Sequence, residues 1–145
     1  MTAKAGYSTP MLRVADVARS LRFYELLGFE TIDTEGEGGH LGWARAHCEG
    51  GAVMFLAAEE PEDRMDPAPQ AVLLYMYTPD LPALRAQLLA SGVEVPPIKY
   101  PEYMLSGEIH LKDPDGYSIF VGHWSKTEHD AWEKRLAEKK KPATA

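Results

Sequence analysis

The chain has 145 residues, one cysteine and a net charge of −7, with 45% hydrophobic and 26% charged residues. That length suits one compact domain or two small halves sharing a core, and it can bury enough surface to need neither a disulfide nor a structural metal. Residues 1–123 carry 9 cations against 18 anions, a body that repels a phosphate backbone and argues against nucleic acid, and no apolar run approaches membrane-spanning length.

The N-terminal "MTAKAGYSTP" lacks the apolar core of a secretory leader, and the lone Cys48 suits a reducing compartment, so a cytoplasmic protein is expected. "STPMLRV" reads as a first strand. A helix follows in "RVADVARSLRFYELLGFE" (13–30): Asp16 stands where an N-cap accepts free N–H groups, and Gly28 where a helix stops in the left-handed conformation. Val17, Leu21, Tyr24 and Leu27 recur between them at helical spacing. Strands are expected at "FETID", "LGWARAH" and "AVMFLAA", with "HCE" (47–49) in a turn, before an acidic, proline-rich linker at 59–70.

The order then repeats. After the strand "AVLLYMY", the stretch "YTPDLPALRAQLLASGVE" (77–94) lies on 13–30 without a gap, pairing Asp16 with Asp80, Val17 with Leu81 and Gly28 with Gly92. Strands are expected at "VEVPPIKY", "GEIHLK" and "YSIFVG". "GAVMFLA" (51–57) lies on "GYSIFVG" (116–122), which sets Phe55 on Phe120. A short helix of one turn is expected from about Thr127, with Trp132 and Leu136 four apart, and "PATA" after Lys141 as a disordered end. The reading is a single α+β domain over 1–145: module one 7–58, linker 59–70, module two 71–123, C-terminal helix and tail 124–145. Each module is βαβββ, and two curved mixed sheets with helices on one face leave a trough lined by alternate strand residues.

The paired βαβββ units, the "DVARSLRFYELLGFE" helix and the "DPDGYSIF" hairpin resemble the vicinal oxygen chelate superfamily, which includes glyoxalase I, extradiol dioxygenases and bleomycin-resistance proteins. Its metalloenzymes hold a divalent metal with His, Gln or Glu on four strands. By resemblance those positions fall on Thr9, Phe55, Leu73 and Phe120, none of them a credible ligand, and no metal or other cofactor is expected. The resemblance also implies a homodimer.

Period-2 alternation then sorts the lining. Met11 and Arg13 face the trough from strand one, Trp43 and Arg45 from the first module's hairpin, and Val53 and Phe55 from its partner strand. Tyr75 and Tyr77 face it from the second module, with Glu108, His110, Ser118 and Phe120 from the last hairpin. Tyr103, beside Tyr100 and Met104, forms a lip. The opposite parity, including Leu12, Val14, Leu74, Met76, Ile119 and Val121, is aliphatic and suits packing under helices. Flat aromatic faces in an acidic body point to a planar aromatic ligand, with cations preferred. The resulting expectation is a metal-independent, bleomycin-resistance-like small-molecule binder that sequesters an antibiotic-like compound and catalyses nothing. The alternative is a cofactor-free lyase or isomerase with His110 and Glu108 as candidate catalytic residues; a metal-dependent glyoxalase or dioxygenase comes third.

Overall fold

The computed structural model describes residues 3–5, 8–60, 66 and 72–140. Of the linker at 59–70 it describes Glu59, Glu60 and Asp66, and the "PATA" end lies outside the described residues. The elements in chain order are β1 Met11–Val14, α1 Val17–Leu26, β2 Glu30–Glu37, β3 His40–Cys48, β4 Gly51–Ala57, β5 Leu74–Thr78, α2 Leu81–Ala90, β6 Glu108–Lys112, β7 Ser118–His123 and α3 Lys126–Lys139. They make an α+β fold with a four-stranded sheet, β1-β4-β3-β2, and a three-stranded sheet, β5-β7-β6. The chain divides into two compact units, Met1–Val72 with Lys112–Ser118, and Leu73–Leu111 with Ile119–Ala145.

In the first unit α1 starts where the sequence says it should. Asp16 is extended, and its carboxylate accepts the Arg19 N–H at 3.1 Å. Gly28 stops the helix at φ 95°, a conformation that a Cβ would strain. The helix buries Val17, Ser20, Phe23 and Tyr24, so its inner stripe is rotated from the expected one and leaves Leu21 and Leu27 half-buried. β1 runs parallel to β4, and β4, β3 and β2 pair antiparallel. His47 and Cys48 are the last residues of β3 rather than part of a bend; Glu49 and Gly50 make the turn, with Gly50 at φ 82°.

The register corrects one expected face. Leu12 pairs with Phe55, and Ala44 pairs with Phe55 from the other side, so Phe55 shares the face of Leu12 and Val14. It is 0% exposed, with its ring 4.9 Å from that of Tyr24 on α1. Val53 lies on this buried face too. Met54 and Leu56 take the opposite face, in register with Met11 and Arg13 on one side and with Arg45 and Trp43 on the other. Met54, not Phe55, is therefore the counterpart of Phe120: the repeat that lays 13–30 on 77–94 sets Met11 on Tyr75, and these pair in register with Met54 and Phe120.

The turn at 112–118 completes this unit. Asp113 is buried, accepts the Tyr24 hydroxyl at 2.9 Å, and accepts the backbone N–H groups of Asp115 and Tyr117, each at 2.9 Å. Burial raises the Asp113 pKa and outweighs these bonds, while burial and Asp113 together hold the Tyr24 hydroxyl protonated. Asp115 accepts from the Ala15 N–H at 2.8 Å and the Arg19 guanidinium at 3.1 Å, at the start of α1.

In the second unit α2 repeats the pattern: Asp80 accepts the Ala83 N–H at 3.1 Å, Gly92 stands at φ 83°, and Leu81 and Leu88 are buried. β5 runs parallel to β7. The strand expected in "VEVPPIKY" does not form and leaves one bridge, Lys99 with Glu108. Pro96 and Pro97 have no N–H to give a ladder, and the Arg85 guanidinium takes the carbonyls of Pro96 and Val95 at 3.0 and 3.3 Å. The C-terminal helix is longer than one turn, 14 residues, and its cap is Ser125 in a reciprocal capping box with Glu128 rather than Thr127.

The face assignment in β4 predicts unequal truncation costs. Phe55→Ala should lose about 3–5 kcal/mol of unfolding free energy in urea, the range for a packed aromatic, and Met54→Ala clearly less. Equal costs would contradict the register described above.

Candidate functional site

Alternation in the second unit separates two faces. Ile109, Leu111, Ile119 and Val121 are buried on one. Tyr75 and Tyr77 of β5, Phe120 and Gly122 of β7, and Glu108 and His110 of β6 share the other, with Tyr75 in register with Phe120 and Tyr77 with Gly122. The rings form a connected surface. His110 stacks on Phe120 at 3.6 Å and 7°, Phe120 meets Tyr75 at 6.2 Å, and Tyr75 lies 5.2 Å from Tyr77. Tyr77 in turn lies 5.1 Å from Trp124.

Glu108 sits in the middle of this face and is 0% exposed. One carboxylate oxygen accepts the Tyr103 hydroxyl at 2.7 Å and the His110 Nε2; the other accepts the Tyr75 hydroxyl. Burial pushes its pKa up, but the hydrogen bonds from Tyr75, His110 and Tyr103 outweigh it and hold the carboxyl below its ordinary range. The reciprocal effect raises both phenols: burial and then Glu108 for Tyr75, the bond to Glu108 first for Tyr103. The Glu108 carboxylate is thus met by two phenol donors and by the His110 ring.

Two local features make the arrangement possible. A Cβ on Gly122 would stand 2.9 Å from the Tyr75 hydroxyl oxygen and 2.9 Å from the end of the Met104 side chain, so a larger residue would have to displace one or both from over β7. Turns closed by Met104 N–H to Pro101 O at 2.9 Å and Gly107 N–H to Met104 O at 3.0 Å bring Tyr103 back to Glu108. Tyr103 is 67% exposed although its hydroxyl reaches a buried carboxylate. The lip read from the sequence at Tyr100, Tyr103 and Met104 is thus attached to β6 and β7 by contacts to Gly107, Glu108 and Gly122.

These contacts bring Tyr75, Tyr77, Tyr103, Glu108, His110 and Phe120 together. Ser118 is engaged elsewhere and accepts the Lys112 ammonium at 2.8 Å. On the first unit Met11, Arg13, Trp43 and Arg45 share the face away from α1, where the Arg45 guanidinium lies 3.5 Å from the Met54 sulfur. Phe55 is absent from that face. Trp124 and Gly122 were missed as site residues; the contact of Trp124 with Tyr77 has no periodic signal, because Trp124 follows the last strand.

The sequence matches the Glyoxalase/Bleomycin resistance protein/Dioxygenase superfamily over residues 6–121. The chain belongs to this superfamily. Among solved structures it is similar to a bleomycin resistance determinant encoded on the transposon Tn5, with 20% identity and a TM-score of 0.64 over 84% of this chain and 99% of that one. A bleomycin-binding protein complexed with bleomycin gives 21% identity and a TM-score of 0.64 over 83% and 100%. An antibiotic-binding protein from Streptomyces sp. CB03234 gives 22% identity and a TM-score of 0.63 over 86% and 100%. At these identities the likeness carries the fold alone. No curated protein matches the chain significantly.

Membership makes a metal the first group to test. The positions read from the resemblance are Thr9, Leu73 and Phe120, with Met54 in the place first read as Phe55. One hydroxyl, a thioether and two hydrocarbon side chains do not make the nitrogen and oxygen set that a divalent ion of this family requires. Among the described residues no group of three or more His, Cys, Asp and Glu side chains is placed to hold a metal.

The depressed carboxyl sets the sign of a pH test. A carboxyl whose pKa is lower in the folded than in the unfolded state contributes stability above the unfolded value and loses it as pH falls through the folded value. The stability gap between wild type and Glu108→Gln should be widest near pH 7 and shrink below about pH 4.3, the ordinary Glu range. A gap that widens on acidification would contradict the assignment.

Proposed function

We propose that the chain is a small-molecule binding protein that holds an aromatic ligand, cationic for preference, on the open face of the second sheet. The observation that carries this reading is the buried Glu108 carboxylate, which fixes Tyr75, Tyr103 and His110 in place around Phe120. Rings fixed before binding lose little conformational freedom on contact with a ligand. Their faces attract planar and cationic groups, and the net charge of −7 favours cations at longer range. The bleomycin-binding and antibiotic-binding proteins of the same fold support a ligand of antibiotic type. Binding in this account is independent of metal, and the protein works in the cytoplasm. Met11, Arg13, Trp43 and Arg45 are retained as a candidate ligand surface of the first unit.

The contact of His110 Nε2 with Glu108 favours one second reading, a cofactor-free lyase or isomerase. With Nε2–H donated to the carboxylate, Nδ1 of a neutral imidazole would be the free base. Glu108 then orients His110 and touches no substrate.

Isothermal titration with a panel of planar aromatic cations tests binding. Phe120→Ala and Tyr77→Ala should each weaken the best ligand at least about tenfold, equal to 1.4 kcal/mol, and ligand addition should change Trp124 fluorescence. Unchanged affinity in both variants would place the ligand elsewhere. Turnover of a bound carbonyl compound, abolished in His110→Asn while binding persists, would instead establish the enzyme.

A further inference from the structure

The aromatic face of the second sheet does not stop at Tyr77. The Tyr77 ring lies 5.1 Å from that of Trp124, Trp124 meets His129 edge-on at 6.4 Å, and His129 lies 6.0 Å from Trp132 at an interplanar angle of 32°. An unbroken row of rings therefore runs from β5 past the end of β7 and onto α3, all of it within the second unit. Tyr77 is 57% and Trp132 44% exposed, His129 is exposed too, and Trp124 is half-buried, so the row lies open to solvent.

α3 buries no side chain, and a helix of 14 residues is marginal in water without packing. It is oriented from its N-terminal end. The Glu128 carboxylate accepts the Ser125 N–H and the Ser106 hydroxyl, the latter at 3.1 Å, and the Ser125 hydroxyl accepts the Glu128 N–H at 3.4 Å. Just before the helix, the Trp124 N–H donates to Thr78 O at 2.7 Å and the His123 N–H to Gly107 O at 3.0 Å. Ser106 and Gly107 belong to the same stretch as Tyr103, so one short segment both reaches Glu108 and aims α3. On the helix the His129 Nε2 meets Glu133 at 3.1 Å, which orients the imidazole between the two indoles.

We propose that Trp124, His129 and Trp132 form a second aromatic subsite for the same ligand, and that this ligand is elongated, with two planar ring systems joined by a spacer. One ring system lies on Phe120 and Tyr75, the other on the indoles. All three residues of the subsite lie beyond the 6–121 segment matched to the superfamily, so it is an addition to the shared fold. Indole offers the largest flat face of any side chain and the best one for a cation. Joining two ring systems makes the second contact intramolecular, so affinity is greatest when the spacer matches the span and falls on either side of it. The subsite presupposes the ligand face assigned above.

Isothermal titration of the full chain compares two series of probes. In one, an alkyl chain joins two quinolinium rings through their nitrogens; in the other, the same chain on one quinolinium ends in a primary ammonium, so that charge is equal and only the second ring differs. The two-ring compound of best length should bind one per chain and at least about tenfold tighter than its one-ring counterpart, with a maximum at an intermediate spacer. Trp132→Ala should bring that ratio close to one, and Trp132→Phe, which keeps a ring face, should retain part of it. Trp132 is exposed and alanine favours a helix, so circular dichroism should be unchanged. Phe120→Ala should weaken both series. A ratio near one in the wild type, equal ratios in wild type and Trp132→Ala, equal losses in the two Trp132 variants, a steady rise with chain length, or one compound bridging two chains would overturn the second subsite and leave the ligand face standing. Failure of both series to bind would overturn the two together.

Discussion

A carboxylate with no exposed surface has to be neutralised by hydrogen bonds or lose its charge, and Glu108 satisfies that demand with three ring-bearing side chains. Much of the second unit follows from this. Tyr75 reaches across β7 over Gly122, where a Cβ would press on its hydroxyl. Tyr103 turns inward, so the chain between Tyr100 and Gly107 folds into two tight turns. His110, two residues along the same strand face, is held flat against Phe120. A salt-bridged carboxylate buried for its own sake contributes little net stability; one that orders three rings on an open face prepares a surface.

The first unit is tied by a different carboxylate pair. Asp113 and Asp115 flank Pro114 in the turn between β6 and β7, and they meet Tyr24 and the first turn of α1. The Tyr24 ring also packs on Phe55, so one tyrosine joins the apolar core to the polar turn. The sequence repeat therefore ends in asymmetry: the corresponding turn of the first module, Glu49–Gly50, is a two-residue bend that leads β3 directly into β4.

Helices were legible because their ends are chemical. Asp16 and Asp80 cap, and Gly28 and Gly92 stop, each through a local contact that spacing alone reveals. In β5, β6 and β7 one face is aliphatic and the other aromatic or polar, so Tyr75, Tyr77, Glu108, His110 and Phe120 could be assigned together. β4 offered no such contrast. It lies between two strands, and Val53, Phe55 and Ala57 on one side are as apolar as Met54 and Leu56 on the other. Matching its glycine to Gly116 slipped the repeat by one residue, and in a strand one residue exchanges the faces. The missing strand at "VEVPPIKY" was readable from its prolines, and the extent of α3 from the Ser125–Glu128 box. The convergence of Tyr103 and Trp124 was not readable, because irregular chain carries no period.

The central claim is that Glu108 holds two phenol hydroxyls and an imidazole before any ligand arrives. Proton NMR of ring-labelled tyrosine in the ligand-free protein tests it most directly, through hydroxyl protons that hydrogen bonding slows in exchange and moves downfield. Tyr24, bonded to Asp113, supplies an internal control. The account predicts protected hydroxyl signals for Tyr75 and Tyr103 that vanish together in Glu108→Ala while that of Tyr24 persists. A protected Tyr24 signal with none from Tyr75 and Tyr103 in the wild type would contradict it.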